Sequence, residues 1–193
     1  MSAAPSRTSG SARKSFARQK YEQHKGPGMR RCLEILGSAQ TPYESRLHFV
    51  LAQLAFWLLA ASDGHAKNFS LFINPGGRYT HTPLYDVLSA WPVIGKGAHH
   101  IPYEKVELAM ALRSKSAHYK VARMEARHWQ QLALETGGEA AWQAMQGTVE
   151  RVEPALARVK GLLPANFPAH VWEAISAGLR RHADRFLHGR DRA

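Results

Sequence analysis

A single long helix is predicted near the centre of the chain. Thr41 can cap it, Pro42 suits its first turn, and Glu44 is placed to reach back toward the cap. The pattern predicts a helix from Pro42 to about Ala60 that is apolar on nearly all sides, with its large side chains at Leu47, Val50, Leu51, Leu54, Phe56, Trp57, Leu58 and Leu59. A helix without a polar face belongs in the middle of a core.

A short β-hairpin is predicted directly after this helix. Residues 69–73 (FSLFI) have the composition of a strand, residues 74–77 (NPGG) form a turn, and residues 78–82 are the return strand. The small polar residues of 61–68 connect the helix to the hairpin, and residues 83–86 (PLYD) end it. A polar loop held between two core elements is a good position for a site, because its neighbours fix its backbone.

Most of the remaining chain is predicted to be helical. Gly137 and Gly138 should end one of these helices, and the residues between Pro92 and His100 resemble a loop. The expected helices cover about 27–36, 103–112, 117–136, 139–161 and 168–188. The predicted fold class is therefore mainly α: a helical bundle around one small β-hairpin.

Composition supports one well-buried unit with a basic surface. The chain has 193 residues, is 45% hydrophobic, and carries a formal net charge of +11, an excess that favours polyanionic partners. One basic cluster could contact phosphates of DNA or RNA, although a solvated helix face is the favoured interpretation. It consists of Arg113, Lys115, His118, Lys120, Arg123 and Arg127.

The termini and the cysteine content suggest a cytoplasmic protein. Residues 1–20 contain no acidic residue and are expected to be a disordered basic leader, with one ordered unit at 21–193. The single cysteine, Cys32, excludes an intramolecular disulfide. The apolar run before Ala61 is shorter than the ~20 residues of a membrane span, so no membrane association is expected.

Three polar residues have the order of a phosphoryl-transfer site. Asp63 and Asn68 are five positions apart, which is the spacing of the aspartate and asparagine in a protein-kinase catalytic loop. There the aspartate orients the hydroxyl of the substrate and the asparagine binds Mg²⁺. Asp86, beyond the hairpin, would supply the second carboxylate that a kinase uses for its metal. Ordinary turn chemistry is the alternative for Asp63 and Asn68.

Two neighbouring residues are weaker candidates. His65 could orient Asp63 or contact phosphate, and Lys67 could meet a phosphate as well; a loop-shaping histidine and a solvated lysine are the alternatives. A histidine-bound zinc ion is not expected, because the chain has no His-Glu-x-x-His run. The sequence also contains neither a Walker A loop nor the glycine-rich loop and strand lysine of kinases.

Several segments resemble the HipA family, the serine/threonine kinases of bacterial toxin–antitoxin systems. Residues 57–70 (WLLAASDGHAKNFS) resemble its catalytic-loop signature, and residues 84–90 (LYDVLSA) look like its counterpart of the kinase Asp-Phe-Gly segment. Residues 21–28 (YEQHKGPG) and 162–168 (LLPANFP) are further matches. The resemblance covers about 20–188, and its two central motifs are specific.

The resemblance implies a fold, an activity and partners. The fold would be a protein-kinase-like C-terminal lobe, in which Asp63 is the catalytic base and Asn68 and Asp86 bind Mg²⁺ with ATP. The family phosphorylates aminoacyl-tRNA synthetases, notably the glutamyl enzyme, which stalls translation and produces persistence. A HipB-like helix-turn-helix antitoxin neutralises it, and the pair binds operator DNA, near which the family carries basic residues in the region of Arg113, Lys115 and Lys120.

One departure from the family pattern shapes the functional hypothesis. Family members carry the phosphate loop, the ATP-contacting lysine and the adenine hinge in an N-terminal lobe, and this chain is expected to begin after them. We therefore expect a truncated kinase lobe that needs a separate ATP-binding lobe. The alternatives are a catalytically inactive remnant that binds antitoxin or operator DNA, and a basic nucleic-acid-binding domain unrelated to kinases.

Overall fold

The computed structural model describes residues 20–189, so the expected leader lies almost entirely outside the described residues. Within that range the fold is mainly α-helical with two small antiparallel sheets. The helices are α1 (Met29–Leu36), α2 (Pro42–Leu58), α3 (Ala126–Glu150), α4 (Val152–Lys160) and α5 (Ala169–His188). The strands are β1 (Leu71–Ile73), β2 (Tyr79–His81), β3 (Glu107–Arg113) and β4 (Ala117–Lys120). No described helix combines the length and apolar character needed to cross a bilayer.

The predicted central helix is confirmed as the middle of the core. Helix α2 packs against α1, α3 and α5, as expected for a helix that is apolar on all sides. The Trp57 ring is fully buried; it stacks on His182 of α5 and donates from Nε1 to the carbonyl oxygen of Val121 at 3.1 Å. Thr41, however, makes no side-chain capping bond, so the start of α2 depends on Pro42 and on packing.

The predicted β-hairpin is also confirmed. Strands β1 and β2 pair antiparallel, with Leu71 opposite His81 and Ile73 opposite Tyr79. The turn between them passes through Gly76 and Gly77, both at positive φ, a conformation that glycine adopts without steric cost. The hairpin thus reverses the chain and returns it toward the C-terminal end of α2.

The predicted helix at 103–112 is wrong. Residues Glu107–Arg113 form β3, which pairs with β4 across a short turn at Ser114–Ser116. The sequence ELAMALR favours a helix by intrinsic propensity. All five residues from Leu108 to Leu112 are buried, however, and a strand covered on both faces by neighbouring elements has no alternation to reveal it.

The second half also differs from the prediction in its helix boundaries. The helix expected from residue 117 begins only at Ala126, since β4 and a 3₁₀ turn (Val121–Arg123) come first. The predicted break at the paired glycines is present as a kink within α3, where Gly138 has a φ of 67°. A further break at Arg151 separates α3 from α4, where the sequence pattern predicts one helix over 139–161. Helix α5 agrees with the prediction for 168–188 to within one residue.

Candidate active site

The loop between α2 and β1 is fixed by backbone hydrogen bonds. Ala60 has a φ of 49°, which turns the chain sharply at the end of α2. The amide of Ala61 then donates to the carbonyl oxygen of Phe56 at 2.7 Å. A 3₁₀ turn at Ala66–Asn68 completes the loop before the hairpin. The backbone of the loop is therefore held between α2 and the hairpin.

Asn68 and Asp86 are brought together by the hairpin. The Asn68 side chain is 2% exposed, and its Nδ2 donates to Oδ2 of Asp86 at 2.9 Å. Its Oδ1 accepts from the backbone amide of His65 at 3.1 Å, which fixes the orientation of the carboxamide. Asn68 and Asp86 are thus in direct contact although 18 positions separate them along the chain.

The backbone around Asp86 has two features of a constrained site. Asp86 has a φ of 58°, a conformation that few residues other than glycine adopt and that aspartate tolerates. Its neighbour Tyr85 donates from the phenol to the carbonyl oxygen of Lys67 at 2.8 Å and lies 2.7 Å from Ser70 Oγ. Farther along, Ser89 Oγ donates to the carbonyl oxygen of Leu59 at 2.8 Å. The segment after β2 is therefore tied back to the catalytic-loop candidate.

Asp63 lies on the exposed side of the same loop. Its side chain is 53% exposed, and Oδ1 accepts a hydrogen bond of 2.6 Å from the phenol of Tyr21. Lys20 Nζ lies 3.7 Å from Oδ2, and His65 Nε2 lies 3.6 Å from Oδ1. Asp63 is accessible to a second molecule while it is held by residues from a distant part of the sequence.

His65 connects the two halves of the site. Its ring faces Asp63, while its backbone amide donates to Asn68, so His65 joins the three predicted residues Asp63, Asn68 and Asp86 into one continuous cluster. The ring is 4% exposed and neither nitrogen makes a hydrogen bond within the described residues. The ring lies beside Asp63 without a hydrogen bond to it, and its orienting role stays a prediction. Lys67 is exposed in the 3₁₀ turn, and its carbonyl oxygen rather than its ammonium is used by Tyr85.

The residues present are a partial but suitable set for Mg²⁺. Asp86 is exposed, and the Asn68 amide oxygen retains a second lone pair beside its bond to His65. One carboxylate and one amide oxygen are hard donors of the kind that Mg²⁺ takes, with phosphate and water oxygens completing its shell. Among the described residues there is no group of three or more histidine, cysteine or acidic side chains that would hold a metal by itself.

The basic candidates lie on the second hairpin and not on a helix. Arg113 ends β3, Lys115 lies in the turn and Lys120 ends β4. The guanidinium of Arg113 is bound to the carboxylate of Glu22, and this hydrogen bonding raises the pKa of Arg113. Arg113 is thus committed to an internal pair, whereas Lys115 and Lys120 have no such bond among the described contacts.

Tyr21 and Glu22 are site residues that the chemical interpretation of the sequence missed. They precede the catalytic-loop candidate by about 40 positions, and no spacing rule relates them to it. The only available signal was that they belong to a segment resembling the family. Local sequence could not have indicated a contact of this range.

We expect Gly64→Ala to disturb the loop. A Cβ at Gly64 would lie 2.2 Å from Cδ2 of Phe56, whose ring is fully buried. Such overpacking costs about 1–3 kcal/mol, which urea denaturation would measure. Gly147→Ala is the matched control, because its Cβ would enter open space on α3 and should stabilise by about 0.5–1 kcal/mol. Equal stability of the two variants would contradict this packing.

Comparisons with known proteins match this chain in sequence and in fold. The sequence model described as "HipA-like C-terminal domain" matches residues 8–159. The fold is similar to that of a chain in the solved complex of the Shewanella oneidensis MR-1 toxin–antitoxin system HipA, HipB and its operator DNA. The TM-score is 0.74 at 20% sequence identity, and the match covers 90% of this chain but 42% of that one. This chain therefore spans less than half the length of that neighbour.

Proposed function

Because this chain belongs to the HipA-like C-terminal domain family, we propose that it is the catalytic-loop lobe of a serine/threonine-protein kinase. The observation that carries the proposal is the cluster in which Asn68 contacts Asp86 while His65 connects both to Asp63. This is the arrangement that phosphoryl transfer requires: a proton acceptor beside hard metal ligands.

Each residue has a distinct role in this mechanism. Asp63, half-exposed at the rim, would orient the hydroxyl of the substrate and accept its proton as the new O–P bond forms and the bond between the γ-phosphorus and the bridging oxygen breaks, releasing ADP. Asn68 and Asp86 are the residues that would hold Mg²⁺, which would supply charge neutralisation on the phosphates of ATP. His65 keeps the carboxylate of Asp63 beside the Asn68 turn. Positioning of this kind can supply roughly 7–11 kcal/mol of the barrier reduction.

The partners follow from the family and are part of the proposal. We propose that the substrate is a translation component such as an aminoacyl-tRNA synthetase, and that the kinase is the toxin of a type II toxin–antitoxin system in the cytoplasm. A HipB-like antitoxin and, through it, operator DNA are the proposed regulators. The solved neighbour was crystallised with both, and the net charge of +11 favours a polyanion.

A catalytically inactive remnant that binds antitoxin or operator DNA is the second candidate. The observation that favours it is the net charge of +11, which suits binding to operator DNA and requires no nucleotide site. In that case Asp63 and Asp86 could be replaced without any change in antitoxin binding, and no form of the chain would transfer phosphate.

We predict that the 193-residue chain alone transfers no phosphate from ATP. It supplies metal ligands and a base but no groups for the adenine and the triphosphate, so the nucleotide should bind weakly. Incubation with radiolabelled ATP, Mg²⁺ and a synthetase substrate measures this directly. The same chain joined to an ATP-binding lobe from a full-length family member should become active. Label incorporated by the unjoined chain contradicts the prediction, and no label in the joined protein contradicts the proposed function.

A further inference from the structure

Tyr21 makes the shortest described hydrogen bond to the proposed base. Its phenol donates to Oδ1 of Asp63 at 2.6 Å across 42 positions of sequence. The Tyr21 ring also lies edge-on to His65, with 5.8 Å between ring centroids, and edge-on to His24 at 6.1 Å. The phenol is thus directed at the carboxylate by contacts on two sides of its ring.

A buried clamp at the next residue fixes the position of Tyr21. Glu22 has a side chain that is only 9% exposed; its Oε2 accepts from the backbone amide of Ala111 in β3 at 2.7 Å, and its Oε1 binds Arg113. Gly28 leaves the room for this carboxylate, since a Cβ there would lie 2.3 Å from Cδ of Glu22. The Glu22 carboxylate thus ties the segment that carries Tyr21 to β3 through two partners.

The two oxygens of Asp63 are therefore in different surroundings. Oδ1 faces Tyr21 and the buried His65, whereas Oδ2 faces only the half-exposed ammonium of Lys20, at 3.7 Å, among the described contacts. A hydroxyl that approaches from solvent can reach Oδ2 without displacing a fixed group. If Tyr21 instead blocked Asp63, it would have to move away before each reaction, which its attachment to β3 through Glu22 does not favour.

From this geometry we propose that Tyr21 is a positioning residue for Asp63: it fixes one carboxylate oxygen so that the other, Oδ2, meets the hydroxyl of the substrate. This inference rests on the proposed kinase function. It names a residue outside the catalytic loop, held by the strand β3, that sets the angle of the base. A free carboxylate would rotate about its Cβ–Cγ bond and lose the alignment on which the transfer depends.

The kinetic test uses the chain joined to an ATP-binding lobe. Tyr21→Phe should lower kcat about 10- to 100-fold through misplacement of the base, while the KM for ATP stays unchanged because Tyr21 touches no metal ligand. Tyr79→Phe is the matched control: it removes a phenol bonded to the carbonyl oxygen of Ile35, away from the site, and should retain wild-type kcat. A Tyr21→Phe enzyme as fast as wild type, or faster, overturns the proposal. Phosphate found on Tyr21 by mass spectrometry also overturns it, since the phenol would then be an acceptor.

A second measurement needs no kinase activity. The hydrogen bond to Asp63 and burial raise the pKa of the Tyr21 phenol. The groups around it are Asp63, His65, His24 and Lys20. In the chain labelled with ¹³Cζ-tyrosine, the Tyr21 resonance is assigned as the one that is missing from Tyr21→Phe. This resonance should titrate at lower pH in Asp63→Asn than in wild type. An unchanged titration overturns the contact. If the joined wild type is inactive while this shift is seen, the proposed kinase function is wrong, but the hydrogen bond from Tyr21 to Asp63 is confirmed.

Discussion

Replacing either Asp63 or Asp86 by asparagine is expected to reduce phosphorylation by the joined kinase at least ~100-fold, the lower end of what general acid–base catalysis contributes. Asp63→Asn retains the size and the bond from Tyr21 but removes the proton acceptor. The turnover number should fall while the KM for ATP is unchanged, because Asp63 acts on the hydroxyl and not on the nucleotide.

Asp86→Asn should act through the metal. The carboxylate next to Asn68 is replaced by a neutral amide, so the site loses the charge that draws Mg²⁺. We therefore expect a higher Mg²⁺ requirement as well as a lower maximal rate, and raising the Mg²⁺ concentration should restore part of the activity. The same treatment should do nothing for Asp63→Asn.

Radiolabel transfer at several Mg²⁺ concentrations measures both variants. Asp184→Asn is the matched control, because Asp184 is exposed on α5, away from the cluster, and should retain full activity. Circular dichroism confirms that each variant is folded. Wild-type rates in Asp63→Asn and Asp86→Asn would remove both residues from the mechanism and contradict the proposed catalytic cluster, whereas a joined wild type that transfers no phosphate would favour the inactive remnant.

The local elements of the site could be predicted from the sequence because each depends on neighbouring residues. The polar run before β1 and the glycine-rich turn after it specify a loop and a hairpin wherever they occur. Once the hairpin is given, its length places Asp86 near Asn68. That contact, and the fully buried helix α2, are as expected.

The long-range parts could not be predicted, for two different physical reasons. Strand β3 has a helix-forming sequence whose conformation is decided by burial on both sides, and tertiary packing overrides propensity. Tyr21 and Glu22 reach the site through pairings that span 42 and 91 positions. Nothing in either local sequence encodes its partner, so only the fold reveals the clamp.

The interior of the fold contains a histidine whose environment has a large effect on stability. His182 is fully buried between α5 and α2. Its Nδ1 lies 2.7 Å from the carbonyl oxygen of Trp57 and must therefore donate, which leaves Nε2 to accept from the phenol of Tyr103 at 2.9 Å. Arg185 lies 3.3 Å from the same phenol oxygen and can donate to it. The neutral tautomer thus satisfies both ring nitrogens.

Burial lowers the pKa of His182 from its ordinary value near 6.5 to about 3, and the neighbouring cations Arg185 and Arg181 add to this. Because the folded-state pKa is below the unfolded one, the unfolded chain binds more protons between these two values. The stabilisation is complete above about pH 6.5 and is lost as the pH falls toward 3. We expect the free energy of unfolding to drop by about 2 kcal/mol between pH 7 and pH 5 from this residue alone.

Urea denaturation of the chain at pH 7 and pH 5 measures that drop, and His182→Gln is the variant that removes it. Glutamine can keep one of the two hydrogen bonds but cannot titrate, so the variant should be less stable at pH 7 yet lose about 2 kcal/mol less than wild type on acidification. His81 and His128, whose pKa values are also lowered by burial, contribute equally to both proteins and cancel in the comparison. Equal losses in wild type and variant would mean that His182 has the same pKa in the folded and the unfolded chain. That result would contradict the neutral ring that donates to the carbonyl oxygen of Trp57 and accepts from the phenol of Tyr103.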